Sequence, residues 1–137
     1  MYKSYSAAII VTFFPKEEFY SYLNIIAAQV DIVVVYDNSD DIKGVVNNSL
    51  LQDNCVLFSE HKNHGIGKAL NDSLMYLNSI KKYSFIFTFD QDTLVDSSFV
   101  HNMIDEYCKI NDSDILVVSP TIYDINKNLY KKIIHLC

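Results

Sequence analysis

Apolar residues in this chain fall into short continuous blocks, and between the blocks they recur at helical spacing. Residues 7–14 (Ala-Ala-Ile-Ile-Val-Thr-Phe-Phe) form an unbroken run ended by Pro15, the signature of a strand buried on both faces. Pro15, Lys16, Glu17 and Glu18 then read as a helix start with acids in the first turn. Phe19, Tyr22, Leu23 and Ile26 carry the helical period to about Ala28. Residues 31–36 predict a second strand, which ends in the turn formers Asp37, Asn38, Ser39 and Asp40. A short helix over about 42–51 and a third strand at 55–58 follow. Gly65 and Gly67 then open a helix in which Ala69, Leu70, Leu74 and Leu77 share one face as far as Ile80. Residues 85–89 (Phe-Ile-Phe-Thr-Phe) predict a fourth buried strand that breaks abruptly into Asp90-Gln91-Asp92-Thr93. Asp96, Ser97 and Ser98 are N-cap candidates for a helix carrying Phe99, Val100, Met103, Ile104 and Tyr107. Residues 114–119 predict a fifth strand closed by Pro120, and residues 121–137 show no clear element.

The order βαβαβαβαβ, with short connections and no repeat, predicts an α/β fold: a mostly parallel sheet with helices on both faces, in one domain spanning 1–137. Polar groups then leave the ends of buried strands at Thr12, at Asp37, and at Asp90 with Asp92. With strand one central, these ends converge on one crevice, where open α/β sheets bind nucleotides. An Asp-x-Asp pair there offers oxygen ligands to a hard divalent cation, which in turn holds phosphate. Taken alone, the same pair reads more readily as a solvated acidic turn.

Composition narrows the field. The 137 residues are 50% apolar and 20% charged, which fits a folded chain. The net charge is -6 and every basic residue is a lysine, which argues against nucleic-acid binding. Cys55, Cys108 and Cys137 are odd in number and far apart, so neither a disulfide framework nor a zinc site is indicated, and a reducing cytoplasmic setting is expected. No window approaches the roughly 18 apolar residues of a membrane span, which leaves peripheral membrane contact at most. The turn after strand one holds no glycine, so a dinucleotide fingerprint is absent, as is a Walker-type phosphate loop. His61 and His64 are three apart but lie in an expected loop, and His101 and His135 have no partner at useful spacing. Lys68 reads either as a helix-surface lysine or as a cation facing phosphate near the glycines. Cys55 reads as core.

Five segments together carry a family resemblance: Ile10-Val11-Thr12-Phe13-Phe14-Pro15; Tyr36-Asp37-Asn38-Ser39; Asn63-His64-Gly65-Ile66-Gly67-Lys68-Ala69-Leu70-Asn71; Phe89-Asp90-Gln91-Asp92-Thr93; and Val118-Ser119-Pro120. In this order the chain resembles the nucleotide-binding half of family 2 inverting glycosyltransferases of the GT-A (Rossmann-like) fold, most nearly the rhamnosyltransferase-like branch. The resemblance implies that Thr12 and Phe14 contact the base, and that Asp37 accepts a hydrogen bond from a pyrimidine ring. It places the helix from Gly65 along the nucleotide, with Lys68 where relatives often carry a basic side chain. Asp90 then lies near ribose and metal, and Asp92 is the principal ligand of Mg²⁺ or Mn²⁺ bridging the diphosphate.

Two departures from the family pattern stand out. Relatives commonly read Thr-Tyr-Asn-Pro where this chain has Thr12-Phe13-Phe14-Pro15, so aromatic stacking is expected to replace a polar contact at the base. The family's general base lies in an acceptor-binding half beyond the strand that ends at Ser119, and Asp124 does not match it. The expectation is therefore a truncated donor-binding half, taking a dTDP- or UDP-sugar such as dTDP-rhamnose, for surface polysaccharide synthesis at the inner face of the membrane. The glycan or lipid-linked acceptor is unknown, and a separate chain is a candidate source of the acceptor half. The alternatives are a non-catalytic nucleotide-sugar-binding module or remnant, and an unrelated α/β scaffold whose acids are solvated turns.

Overall fold

The structure is a computed structural model that describes residues 5–110, 114, 116–120, 122–124 and 129–131. Residues 1–98 and 99–137 form two compact units. The first begins with β1 (Ser6–Thr12), α1 (Glu18–Ala27) and β2 (Ile32–Asp37), and continues with β3 (Cys55–Ser59), α2 (Ile66–Ile80) and β4 (Phe85–Asp90). Its four strands are all parallel, in the order β3-β2-β1-β4. From β1 the chain winds outward through β2 to β3, then returns by α2 to place β4 on the other side of β1. The direction of winding reverses between β1 and β4, and that junction is the switch point of the sheet.

Side-chain alternation along the strands assigns one helix to each face. Ala8, Ile10, Val33 and Val35 pack with Phe19, Leu23, Ile26 and Ala27 of α1, whereas Ala7, Ile9 and Val34 pack with Leu77 and the half-buried Leu70 and Leu74 of α2. Strand residues covered on both sides have no polar face to spare. This explains why β1 and β2 read as continuous apolar runs in the sequence. Ala7 and Ala8 at the centre of the sheet are fully buried, and their short side chains let the helices approach closely.

Three expected elements differ. The segment 42–51 is two 3₁₀ turns, Ile42–Gly44 and Asn48–Leu50, each opened by a side chain that accepts a backbone N–H, Asp41 from Lys43 and Asn47 from Ser49. Such local bonds compete with α-helix, and the segment lacks the apolar stripe that would outweigh them. Strand β4 is not fully buried. Phe87 and Phe89 pack on the α1 side, but Ile86, Thr88 and Asp90 are exposed on the other. β4 is an edge of this sheet among the described residues, and α2 packs on β1 and β2.

The second unit contains α3 (Phe99–Lys109), as expected, and His101, read from sequence as having no partner at useful spacing, lies 3.2 Å from Asp105 one turn on. The predicted fifth strand is overturned. The described residues among 114–119 belong to no ladder, and Leu116 and Val117 are 82% and 61% exposed. An apolar run becomes a strand only where its backbone groups find partners. The segment expected to be featureless contains an antiparallel pair instead, β5 (Ile122–Asp124) with β6 (Leu129–Lys131). His135 and Cys137 lie outside the described residues. Among the described residues, no helix is long and apolar enough to cross a membrane.

Candidate active site

Because the four strands are parallel and in register, their C-terminal ends form one row. Thr12 is paired with Asp37, Asp37 with Ser59, and Val11 with Asp90. Thr12, Asp37 and Asp90, predicted to converge, lie at the same end of the sheet, but by strand alternation Thr12 and Asp37 belong to the α1 side and Asp90, in register with Val11, to the α2 side.

At the β1 and β2 exits the polar groups consume one another. Oδ1 of Asp37 accepts from the Thr12 hydroxyl (2.9 Å), the Ser39 N–H (3.1 Å) and the Ser39 hydroxyl (2.6 Å), while Oδ2 accepts from the Val46 N–H (2.8 Å). Thr12, Asp37 and Ser39 have no exposed surface. A buried carboxylate survives in an apolar setting only when its oxygens are met by donors, and here four donors meet it. In this conformation Asp37 anchors the 37–46 loop and has no free edge for a ligand.

The anchor extends to two aromatic rings. Ser39 Oγ accepts the Phe14 N–H (2.8 Å), holding Phe14 at φ 47°, a left-handed conformation that a bulky residue adopts only under outside restraint. The Phe14 ring lies on Gly44, where a Cβ would overlap the ring edge. Phe13 meets Phe14 edge to face with ring centroids 4.6 Å apart, and the two are 47% and 39% exposed. Apolar rings left open beside a saturated polar network are suited to stacking on a planar ligand.

At the β4 exit the situation is reversed. The Thr93 N–H returns to the Asp90 carbonyl (3.0 Å), making a tight turn that presents Asp90 and Asp92 to solvent. Among the described residues neither carboxylate is engaged by a side chain. Between them Gln91 turns back across the switch point. Its Oε1 accepts the Phe13 N–H at 2.7 Å and its Nε2 donates to the Phe13 carbonyl at 3.2 Å. Asp90 and Asp92 are oxygen donors of the kind that a hard divalent cation would take, and among the described residues no cluster of three or more His, Cys, Asp or Glu could by itself hold a metal ion.

The entrance of α2 borders the same edge. Gly65 sits at φ 80°, a conformation open to glycine at little cost, and both Gly65 and Gly67 face open space. Asn38 and Asn63 accept the N–H groups of His64 and Gly65, tying this entrance to the β2 exit. Lys68 is paired with Asp72 at 2.6 Å, and Asp72 also accepts from the Tyr36 hydroxyl at 3.2 Å. The Lys68 ammonium holds the Asp72 carboxyl below the usual carboxylate range, and Asp72 in turn raises Lys68. His64 pairs with Glu60 at 2.8 Å while His61 is exposed in the loop, so the two histidines do not form a metal site. Cys55 is half-buried against the α1-side core, and burial pushes its thiol up.

Comparison with known proteins then decides the family. Residues 8–136 match the family described as Glycosyl transferase family 2. The chain belongs to that family. A search of curated proteins finds no match. Among solved structures, this family 2 chain is similar to Staphylococcus aureus TarS residues 1–349, at 20% identity and a TM-score of 0.57, over 87% of this chain and 39% of that one. The likeness shows the shared GT-A-like fold, a parallel sheet flanked by helices. The chain spans well under half the length of that protein.

Within this family 2 domain, sequence reasoning passed over three residues that build the site: Ser39, Gly44 and Gln91. Ser39 was visible as a turn former and Gln91 as the spacer of the acidic pair, but the contacts they make span 25 and 78 residues. Gly44 carried one signal, as the remaining glycine of three.

Proposed function

We propose that this domain binds a pyrimidine nucleotide-activated sugar, a UDP- or dTDP-sugar, as the donor site of an inverting glycosyl transfer in surface polysaccharide assembly. The observation that carries this reading is the pair of unpartnered carboxylates, Asp90 and Asp92, at the switch point of a family 2 chain. Phe13 and Phe14 offer the base a stacking surface, and Thr12 with Asp37 shapes the wall behind them. Gly65 leaves the α2 entrance open for the nucleotide to approach, and Lys68 reaches it by exchanging Asp72 for phosphate. Asp92 and Asp90 would hold Mg²⁺ or Mn²⁺, which supplies charge stabilisation to a departing nucleoside diphosphate. A rhamnosyl donor is the finer form of the same proposal.

Inverting transfer also needs a base to take the acceptor's proton. Asp37 is buried and engaged, while Asp90 and Asp92 are assigned to the metal, so the base is to be sought outside this edge. A donor-binding module that acts with a separate acceptor-binding partner is the second reading.

Calorimetry with UDP and with dTDP, with and without Mn²⁺, tests the donor site. The expected result is metal-dependent binding that Asp92→Ala abolishes while leaving the melting temperature unchanged. Equal binding in the variant would remove the metal from the reading. A transfer or hydrolysis assay on this chain alone separates the two readings, since robust turnover would place a base within it.

A further inference from the structure

Gln91 does something that the acidic pair on either side of it cannot. The last β1–β4 ladder pair is Val11 with Asp90, and beyond it the two chains diverge at the switch point. There the Gln91 side-chain amide takes the place of a further peptide group, accepting the Phe13 N–H at 2.7 Å and donating to the Phe13 carbonyl at 3.2 Å. The opposite amide orientation would set donor against donor and oxygen against oxygen, so the pairing fixes how the amide lies. The fit is specific to one side chain. Asn is a methylene too short, Lys cannot accept, and ionised Glu cannot donate.

We infer that Gln91 is a positioning residue that locks the Asp90–Asp92 turn to the backbone of Phe13, setting the distance between the metal-binding carboxylates and the aromatic surface for the base. This inference rests on the donor-site reading given above. A nucleoside diphosphate has a fixed span from ring to diphosphate, and a site that must meet both ends gains affinity when their separation is set before binding. The two ends lie on different strands, and the ladder between those strands has already finished. Apart from the backbone of β1 and β4 themselves, the Gln91 amide is the described bond that joins the two exits. Asp37 binds the Thr12 hydroxyl, Ser39 and the Val46 N–H, and none of its bonds goes to β4.

The test uses Gln91→Met, which keeps length and removes both hydrogen bonds, and Gln91→Glu. Amide hydrogen exchange by NMR reads the clamp without any ligand. The Phe13 N–H is expected to exchange about tenfold faster in Gln91→Met. Gln91→Glu keeps an acceptor for the Phe13 N–H and removes the donor to the Phe13 carbonyl, so exchange at the Phe13 N–H is expected to stay close to wild type at neutral pH. Calorimetry with UDP and Mn²⁺ at neutral pH then reads the positioning, with an expected loss of about tenfold in Gln91→Met at an unchanged melting temperature. Exchange at Phe13 that is the same in Gln91→Met and wild type overturns the clamp. Faster exchange with unchanged affinity overturns the positioning role. Wild type that fails to bind UDP with Mn²⁺ overturns the donor site, and the inference with it, before any variant is compared.

Discussion

The two strands that flank β1 end in aspartates whose circumstances are opposite. Asp37, at the end of β2, is fully buried and accepts four hydrogen bonds; Asp90, at the end of β4, is exposed beside Asp92, and neither is held by a side chain among the described residues. Topology accounts for the contrast. β2 lies between β1 and β3, and its exit loop folds back through Ser39 to Val46 so that donors surround the carboxylate. β4 is an edge among the described residues and turns sharply at Thr93, so its acids meet only water. The same residue type at the same end of the sheet therefore serves architecture in one place and leaves a charge available for ligand in the other.

The contrast is sharpest under alanine substitution. Asp37→Ala leaves the Thr12 hydroxyl, the Ser39 donors and the Val46 N–H buried without an acceptor, and is expected to lower stability by about 3 kcal/mol or more in urea unfolding. Asp92→Ala removes an exposed, unengaged carboxylate and is expected to change stability by no more than about 0.5 kcal/mol, while abolishing metal-dependent nucleotide binding. If the two variants unfolded at the same urea concentration, the division between building and binding carboxylates would fail.

The sequence made the strands and their exits legible because burial on both faces writes itself as a continuous apolar run, as in β1 and β2. The same rule misled at 114–119, an equally apolar run whose described residues belong to no ladder, because a single sequence says nothing of which backbone it would pair with. Asp90 and Asp92 could be read as ligand candidates from their place after a strand. The occupation of Asp37 could not, since it depends on Val46, nine residues on and beyond two turn-rich segments. Gly44 shows the same limit. Its reason is the Phe14 ring, thirty residues back in the chain. Gly44→Ala is expected to push that ring from its seat, costing about 1–3 kcal/mol as overpacking does, and to weaken nucleotide binding more than it weakens metal binding. An effect on metal binding alone would show that the Phe14 surface is not part of the base side.

The smallest expected effect concerns the polar pairs of α2, which stand between the two extremes. Asp72 is drawn below its ordinary value of 3.8 by the Lys68 ammonium, and Lys68 is raised above 10.5 by Asp72. A depressed carboxyl contributes stability above its unfolded value, and that contribution fades as pH falls through the lower folded value, so the Asp72 effect is confined to acid below about pH 4. Lys68 works in the other direction. Its contribution is complete below 10.5 and fades as pH rises through the higher folded value. Tyr36, raised above 10.0 chiefly by burial and then by its bond to Asp72, adds a second alkaline loss over the same range. Between about pH 5 and 9 none of the three changes charge, and the exposed Lys68–Asp72 pair, screened by solvent, contributes little to stability. Lys68→Met should therefore leave the neutral-pH melting temperature within about a degree or two of wild type. Nucleotide affinity is the quantity it should change. A cheap ion pair lets Lys68 leave Asp72 for phosphate, so Lys68→Met is expected to weaken UDP binding about three- to tenfold, with the loss shrinking as salt is added. A loss independent of salt would mean that Lys68 acts through Asp72 and Tyr36 on the shape of the β2 exit, which would move it to the side of Asp37 in the comparison.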